Sequence, residues 1–273
     1  MKISVIVSTY NSPEWLARVL VGYEQQGDSN FEIVIADDGS GPATRDLIER
    51  FSARGRLRLR RVWHEDDGFR KWRIVNRAIE EASGDYLLFT DGDCIPRSEV
   101  VATHRARARP GHYVSGAYCR LPMTTSLAIG EDDIVSGRAF SLGWLMRHGY
   151  PPSLKWLKIA ALSWGVDGVL NALTPARPTF NGNNSSCFRA DALRVGGFDE
   201  RIRYGGGDRE FGYRLVNAGI APIVIRYSAL CLHLDHKRGY KDPQIRKAHD
   251  AIIADTIASG AVRTGFGIGL TSQ

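Results

Sequence analysis

Apolar and polar positions along the first half of the chain repeat with two different periods. Residues 3–7 (Ile-Ser-Val-Ile-Val) form a nearly unbroken apolar run that ends at Ser8-Thr9-Tyr10-Asn11, the pattern of a buried strand entering a polar loop. Ser12-Pro13-Glu14 then reads as a helix start, with Ser12 as N-cap and Pro13 at the first helical position. Trp15, Leu16, Val19, Leu20 and Tyr23 follow at helical spacing. Residues 31–36 predict a second strand that runs into the loop Asp37-Asp38-Gly39-Ser40-Gly41-Pro42, with a helix over 44–51 behind it. Residues 56–63 predict a strand with Leu57 and Leu59 on one face and Arg56, Arg58 and Arg60 on the other. A helix over 70–82 and a buried strand over 86–90 lead to Asp91-Gly92-Asp93. Apolar strands alternating with helices imply an α/β fold, with a mostly parallel central sheet flanked by helices. Ligands of such sheets bind at loops beyond the strands' carboxyl ends. The loops 8–11, 37–40 and 91–93 hold that position; all are polar and two are acidic.

The second half is less regular. Residues 121–178 differ in character, and 154–173 predict a helix carrying Trp156, Leu157, Ile159, Leu162, Trp164, Val169 and Leu170 with Lys155 and Lys158. Such a helix either packs into the core or forms a membrane-surface or acceptor-binding element. Order returns over 180–188; 210–218 read as a helix closed by Gly219, and 221–232 as strand-like. Residues 261–273, with Gly265, Gly267 and Gly269, read as a loose end.

Composition narrows the class. The 273 residues are 43% hydrophobic and 24% charged, which excludes collagen-like and intrinsically disordered chains. No apolar run approaches the ~18–20 residues that span a bilayer, and residues 3–7 are too short for a signal-peptide core. The expectation is an intracellular protein, soluble or peripherally bound. The four cysteines contain no CxxC pair, which argues against a disulfide framework or structural zinc. A net charge of +6 favours an anionic partner.

Several polar clusters carry possible chemistry. Asp91-Gly92-Asp93 ends an apolar strand, where a glycine between two acids lets both carboxylates reach one ion; hard oxygen ligands suit magnesium or manganese bound to phosphate. Asp37-Asp38-Gly39-Ser40 is either a turn or a binding loop. In His64-Glu65-Asp66-Asp67-Gly68-Phe69-Arg70-Lys71, Arg70 and Lys71, with Arg73, would neutralise a diphosphate, or simply form a solvated helix face. Asp208, after Gly205-Gly206-Gly207, is an N-cap or a general base at a helix start. His233 and His236 offer a metal ligand or structural hydrogen bonds.

In order along the chain, Ser8-Thr9-Tyr10-Asn11, Asp37-Asp38-Gly39-Ser40, Asp91-Gly92-Asp93, Gly197-Phe198-Asp199-Glu200 and Gly206-Gly207-Asp208 resemble a family 2 inverting glycosyltransferase of the GT-A fold, over residues 1–240. Asp67-Gly68-Phe69-Arg70-Lys71, Asn76, Phe180-Asn181-Gly182-Asn183-Asn184-Ser185 and His233-Leu234-Asp235-His236 resemble a bacterial branch that builds surface polysaccharide or lipopolysaccharide. The resemblance implies a Rossmann-like GT-A domain over 1–240: a nucleotide-binding half (1–115), a variable acceptor region (116–178) and a catalytic half (179–240), before a C-terminal helix and flexible tail (241–273). It implies that Ser8, Tyr10 and Asp38 hold the base, and that Asp67, Gly68, Arg70, Lys71, Asn76, Asp91, Gly92 and Asn183 complete the donor site. Asp91, Asp93 and His233 would ligate a divalent cation, Mn2+ or Mg2+, with His236 competing for the last place. Asp208 would be the catalytic base.

The implied reaction moves a sugar from a nucleotide-diphosphate donor, a UDP-sugar, to a hydroxyl of a glycan or lipid-linked saccharide, in the cytoplasm or on the membrane's inner face. Gly207 departs from the family, which usually has glutamate there. A non-catalytic nucleotide-sugar-binding protein and a sugar nucleotidyltransferase are the competing functions. The latter lacks its basic glycine-rich loop after the first strand, and an oxidoreductase would need GxGxxG there. The arginines of 54–61 have no aromatic platform among them, which argues against nucleic acid.

Overall fold

Four parallel strands form the scaffold: β1 (Ile3–Thr9), β2 (Phe31–Asp37), β3 (Leu59–Trp63) and β4 (Tyr86–Asp91). The computed structural model describes residues 1–174, 178–236 and 243–269. The remaining strands are β5 (Cys94–Pro96), β6 (His112–Ser115), β7 (Ala117–Arg120), β8 (Ser185–Phe188), β9 (Ala221–Val224) and β10 (Leu230–His233). A seven-stranded sheet has the order β3-β2-β1-β4-β8-β6-β9, and a small sheet the order β5-β10-β7. In the large sheet only β8 runs antiparallel to its neighbours. The helices Pro13–Glu24, Pro42–Ala53 and Lys71–Glu81 make the crossovers between successive strands from β1 to β4.

The strands are buried on both faces, as their unalternating sequence requires. Ile3, Val5 and Val7 pack with Leu16, Val19 and Leu20 of the first crossover helix. Ile6, Val34 and Phe89 face the opposite layer, with Ile74 and Val75 of the third. The chain steps outward from β1 through β2 to β3, then returns to the other side of β1 for β4. Beyond the carboxyl ends of β1 and β4 the crossovers therefore diverge and leave a crevice.

Four expectations change. Residues 154–173 form two helices, Trp156–Ser163 and Asp167–Leu173. Gly165 takes left-handed backbone (φ +67°), and its N–H and that of Val166 close back on Leu162 and Ala161 carbonyls, a glycine stop that ends the first helix. Residues 221–232 split into β9 and β10, which lie in different sheets. The third strand begins at Leu59 rather than 56. The C-terminal segment is tied down as far as it is described: Glu200 N–H donates to Phe266 O, and Ile268 N–H to Gly196 O, each at 2.8 Å, while Arg201 lies over the Phe266 ring. The C-terminal helix spans Pro243–Ser259; residues 241–242 and 270–273 of the expected helix and tail lie outside the described residues.

At the end of the sheet opposite the crevice, the buried Glu32 carboxylate ties β1, β2 and the start of β4. It accepts from Ser4 Oγ at 2.6 Å, Ser83 N–H at 2.8 Å and Lys2 Nζ at 2.8 Å. Burial alone would raise its pKa; Lys2, Ser4 and Ser83 outweigh that and lower it from 4.5 to about 2. A depressed carboxylate stabilises the fold above its unfolded pKa and loses that contribution as pH falls through the folded value. Glu32→Gln is expected to cost about 2 kcal/mol at pH 7. The gap to wild type should close between pH 4.5 and about 2, read from urea denaturation across that range.

Candidate active site

The register of β1 against β4 places Ser8 opposite Asp91. Ser8 Oγ donates to Asp91 Oδ1 at 2.7 Å, and Lys71 Nζ, at the start of the third crossover helix, donates to the same oxygen at 2.6 Å. Burial disfavours the Asp91 carboxylate, yet Lys71 and Ser8 together hold its pKa below the ordinary range. Lys71 is held above its own ordinary value: burial alone would lower it, and Asp91, with Asp208 and Asp93 farther off, prevails. Gly92 N–H donates to Ser8 O at 2.7 Å, and a Cβ there would come within 3.0 Å of Thr9 Oγ1.

Asp93 continues from this turn towards the small sheet, where β5 pairs with β10 and Cys94 lies opposite His233. Leu234 N–H donates to Asp93 O at 2.8 Å. His233 Nδ1 is 2.8 Å from Leu234 O; a carbonyl only accepts, so Nδ1 is the donor, and in the neutral ring the lone pair lies on Nε2. That Nε2 lies 4.0 Å from Asp93 Oδ2, and His236 Nε2 lies 3.3 Å from the same oxygen. Burial pushes the Asp93 carboxyl up; His233 and His236 pull it down, and Asp91 adds to the rise. Donor atoms of Asp93, Cys94 and His233 lie within 4.8 Å of one another. Burial, with Asp93 beside it, pushes the Cys94 thiol well up, and the thiol donates to Asp93 Oδ1 at 3.4 Å, so it stays protonated. The remaining oxygen and imidazole donors suit a divalent cation, and the His233 tautomer is the one a metal ligand needs.

A second acidic cluster lies beyond β2. Arg61 Nε donates to Asp37 Oδ2 at 2.8 Å, and Ser40 N–H to Asp37 Oδ1 at 2.9 Å, closing the loop. Asp38 Oδ1 lies 2.8 Å from His64 Nε2, while Asp38 Oδ2 accepts from Arg70 N–H at 3.0 Å. Burial raises the Asp38 pKa against both partners. Tyr10 donates to Asp66 across the loops at 2.8 Å. Asp67 accepts from Arg70 Nη2 at 2.6 Å, and Gly68 turns the loop between them with φ +72°. The His64–Lys71 segment thus ties the loop after β2 to the Asp91 crevice.

Asp208 enters from the helix Gly207–Asn217, whose N-cap is Gly206. Asp208 is therefore not the cap but an acid in the helix's first turn. Its carboxylate accepts from Gly182 N–H at 3.1 Å and Arg209 N–H at 2.9 Å. Trp72 fills the space beside it. Its indole stacks on Phe198 at 4.5 Å, and a Cβ at Gly207 would lie 2.4 Å from Trp72 Nε1. The family's usual glutamate has no room here. Trp72 Nε1 and Asn183 Oδ1 are buried without a hydrogen-bond partner among the described residues.

Asn76, expected at the donor, is instead a loop anchor. Its amide donates to Phe198 O at 2.9 Å and Glu200 Oε1 at 3.0 Å and accepts from Phe198 N–H at 2.7 Å, so its hydrogen-bonding capacity goes to the loop 197–200. The sequence motifs do not include Trp72 or Arg61. The only signal for Trp72 was indirect: the missing carboxylate at Gly207.

The overlap of Trp72 with position 207 can be measured. Gly207→Glu is expected to destabilise by about 1–3 kcal/mol through overpacking. Combined with Trp72→Ala, it should cost at least about 1 kcal/mol less than the two separate losses summed. Additive losses in urea denaturation would show that the two positions do not compete.

The sequence profile described as Glycosyl transferase family 2 matches residues 4–119. YfnE of Bacillus subtilis (strain 168), described as an uncharacterized glycosyltransferase, is 30% identical, over 93% of this chain and 70% of its own length. Validoxylamine A glucosyltransferase of Streptomyces hygroscopicus subsp. limoneus is 30% identical over 88% of this chain and 53% of its own. The chain thus spans 53% to 70% of the length of these two relatives. Among solved structures, mannosyltransferase PcManGT of Pyrobaculum calidifontis, in complex with GDP-Man and Mn2+, aligns with a TM-score of 0.64 at 22% identity, over 94% of this chain and 64% of that one. Staphylococcus aureus TarS 1-349 with UDP-GlcNAc aligns at 0.62 and 17% identity, over 95% and 69%. These structures bear on architecture, and the architecture is the GT-A α/β fold. With the family profile over the crevice half, and a relative at 30% identity of which this chain covers 70%, the chain belongs to glycosyl transferase family 2.

Proposed function

We propose that this chain is a metal-dependent, inverting glycosyltransferase that moves a sugar from a UDP-sugar to a hydroxyl of a glycan or lipid-linked saccharide, in bacterial surface-polysaccharide or lipopolysaccharide synthesis. The observation that carries the reading is the grouping at the β1/β4 crevice: Asp91 held by Lys71 and Ser8, with Asp93 and His233 beside it. The GDP-Man and Mn2+ complex of PcManGT and the UDP-GlcNAc complex of TarS support a nucleotide-sugar donor and a divalent cation.

In this reading Asp38, Ser8 and Tyr10 hold the nucleoside, and Asp67, Gly68, Gly92 and Asn183 line the path to the diphosphate. Lys71 and Arg70 supply positive charge where the leaving phosphate gains negative charge. Asp91, Asp93 and His233 would hold the cation, with His236 within reach of Asp93; bound there, it would stabilise the departing diphosphate as a Lewis acid. Asp208 takes the proton of the acceptor hydroxyl as that oxygen bonds to the anomeric carbon and the bond to the diphosphate breaks. A single displacement from the opposite face inverts the anomeric centre. Residues 1–115 serve the donor, 179–240 supply Asp208 and His233, and 116–178 meet the acceptor. The reaction takes place in the cytoplasm, at the inner face of the membrane.

Two measurements test this. Thermal-shift titration with UDP, GDP, dTDP and CDP, with and without Mn2+, is expected to give a manganese-dependent rise with UDP, because a ligand of the folded state raises stability by mass action. Asp93→Ala should abolish it. No shift with any nucleotide at millimolar concentration would sink the donor reading. Asp208→Asn should keep the UDP shift and lower transfer about 10²–10⁴-fold, the range for loss of a general base. Loss of the shift in that variant would assign Asp208 to donor binding or structure instead.

A further inference from the structure

The two helices that replace the single predicted one present an unusual surface. Asp167–Leu173 buries none of its residues, and Trp156–Ser163 buries only Ile159, Ala160 and Ala161. Leu154, Trp164, Val169 and Leu173 are exposed, at 89%, 64%, 58% and 73%. Leu157 and Val166 are exposed as well. An apolar surface of this kind marks an interaction site on a water-soluble fold.

Charge indicates what it meets. Between residues 134 and 178 the cations are Arg138, Arg147, Lys155, Lys158 and Arg177, against a single acid, Asp167. Asp167 accepts from the Ser228 hydroxyl, and Arg138 is paired with Asp133. Lys158 is half-buried near Cys119 and Arg226, where burial lowers its pKa, and Arg177 lies outside the described residues. That leaves Arg147 and Lys155 as the exposed cations of this stretch. A second copy docked by two-fold symmetry would set the same cations against themselves. An anionic bilayer would neutralise them while its acyl boundary takes the leucines, and tryptophan favours that boundary.

We infer that the helices Trp156–Ser163 and Asp167–Leu173 seat this protein on an anionic phospholipid bilayer. The exposed apolar side chains Leu154, Leu157, Trp164, Val169 and Leu173 enter the headgroup boundary, and Lys155 faces lipid phosphates. The inference rests on the inner-membrane placement proposed above and names the surface that achieves it.

The test is co-sedimentation of the full chain with vesicles of phosphatidylglycerol and phosphatidylcholine, or of phosphatidylcholine alone, at two salt concentrations. Binding is expected to the anionic vesicles, to weaken with salt, and to fall at least tenfold in a Leu154→Ser, Trp164→Ser, Leu173→Ser variant. Lys155→Glu should weaken it separately, a change at an exposed residue that leaves the fold intact. Wild-type binding by the triple variant, or equal binding to both vesicle types, would overturn the assignment. So would a dimer, seen by light scattering, that the triple variant dissolves. The UDP-dependent thermal shift is read on the same samples. A retained shift without vesicle binding refutes the docking face alone, and vesicle binding without a shift refutes the donor reading alone.

Discussion

The ion pair between Lys71 and Asp91 organises the site. Asp91 ends the strand next to β1, in surroundings where burial by itself would raise its pKa. Lys71 begins the crossover helix that returns the chain to that strand, and its ammonium lies 2.6 Å from Asp91 Oδ1. A half-buried pair of this kind contributes little net stability, because desolvation offsets much of the attraction, but removing one partner leaves a partly buried charge unpaired. Its use here is positional. It keeps Asp91 ionised at the mouth of the crevice and fixes the start of the helix relative to the sheet.

From that helix start the geometry spreads in two directions. Residue 71 reaches Asp91, and residue 72 sends its indole beneath Gly207, one residue before Asp208. Trp72 stacks on Phe198, Phe198 stacks on Phe211 of the Asp208 helix at 4.3 Å, and Asn76 clamps the Phe198 backbone. Stacked rings in a close-packed core move little. Asp91 and Asp208, which lie on distant parts of the chain, are thus held through two consecutive side chains and one aromatic stack. The space that a glutamate would need at 207 is taken by the indole.

The region between β7 and β8 follows different rules. Its helices are short, and the pair at 156–173 leaves much of its apolar surface uncovered. The sheet core does not need that surface, since both faces of the large sheet already have their own apolar layers. Only Ile159 and its neighbours join the core, and the exposed remainder can take its composition from what it meets outside.

What the sequence determined by itself was periodic or ordered. The period of apolar residues set the strands and crossover helices of the first half, because burial on both faces imposes unbroken apolar runs. The order of short polar motifs at strand ends indicated the family, and Gly219 marked a helix end correctly. Tertiary structure decided whatever depends on contact between distant residues. Asn76 looked like a donor ligand because it shares a helix with Arg70 and Lys71, but its partner is a loop 122 residues away. The glycine-rich end looked loose until Phe266 and Ile268 met the backbone at Glu200 and Gly196. The tautomer of His233 follows from one carbonyl, and Gly207 makes sense only beside Trp72. Local spacing encodes local hydrogen bonding and amphipathicity, whereas the company a side chain keeps across the fold is settled only when the layers pack.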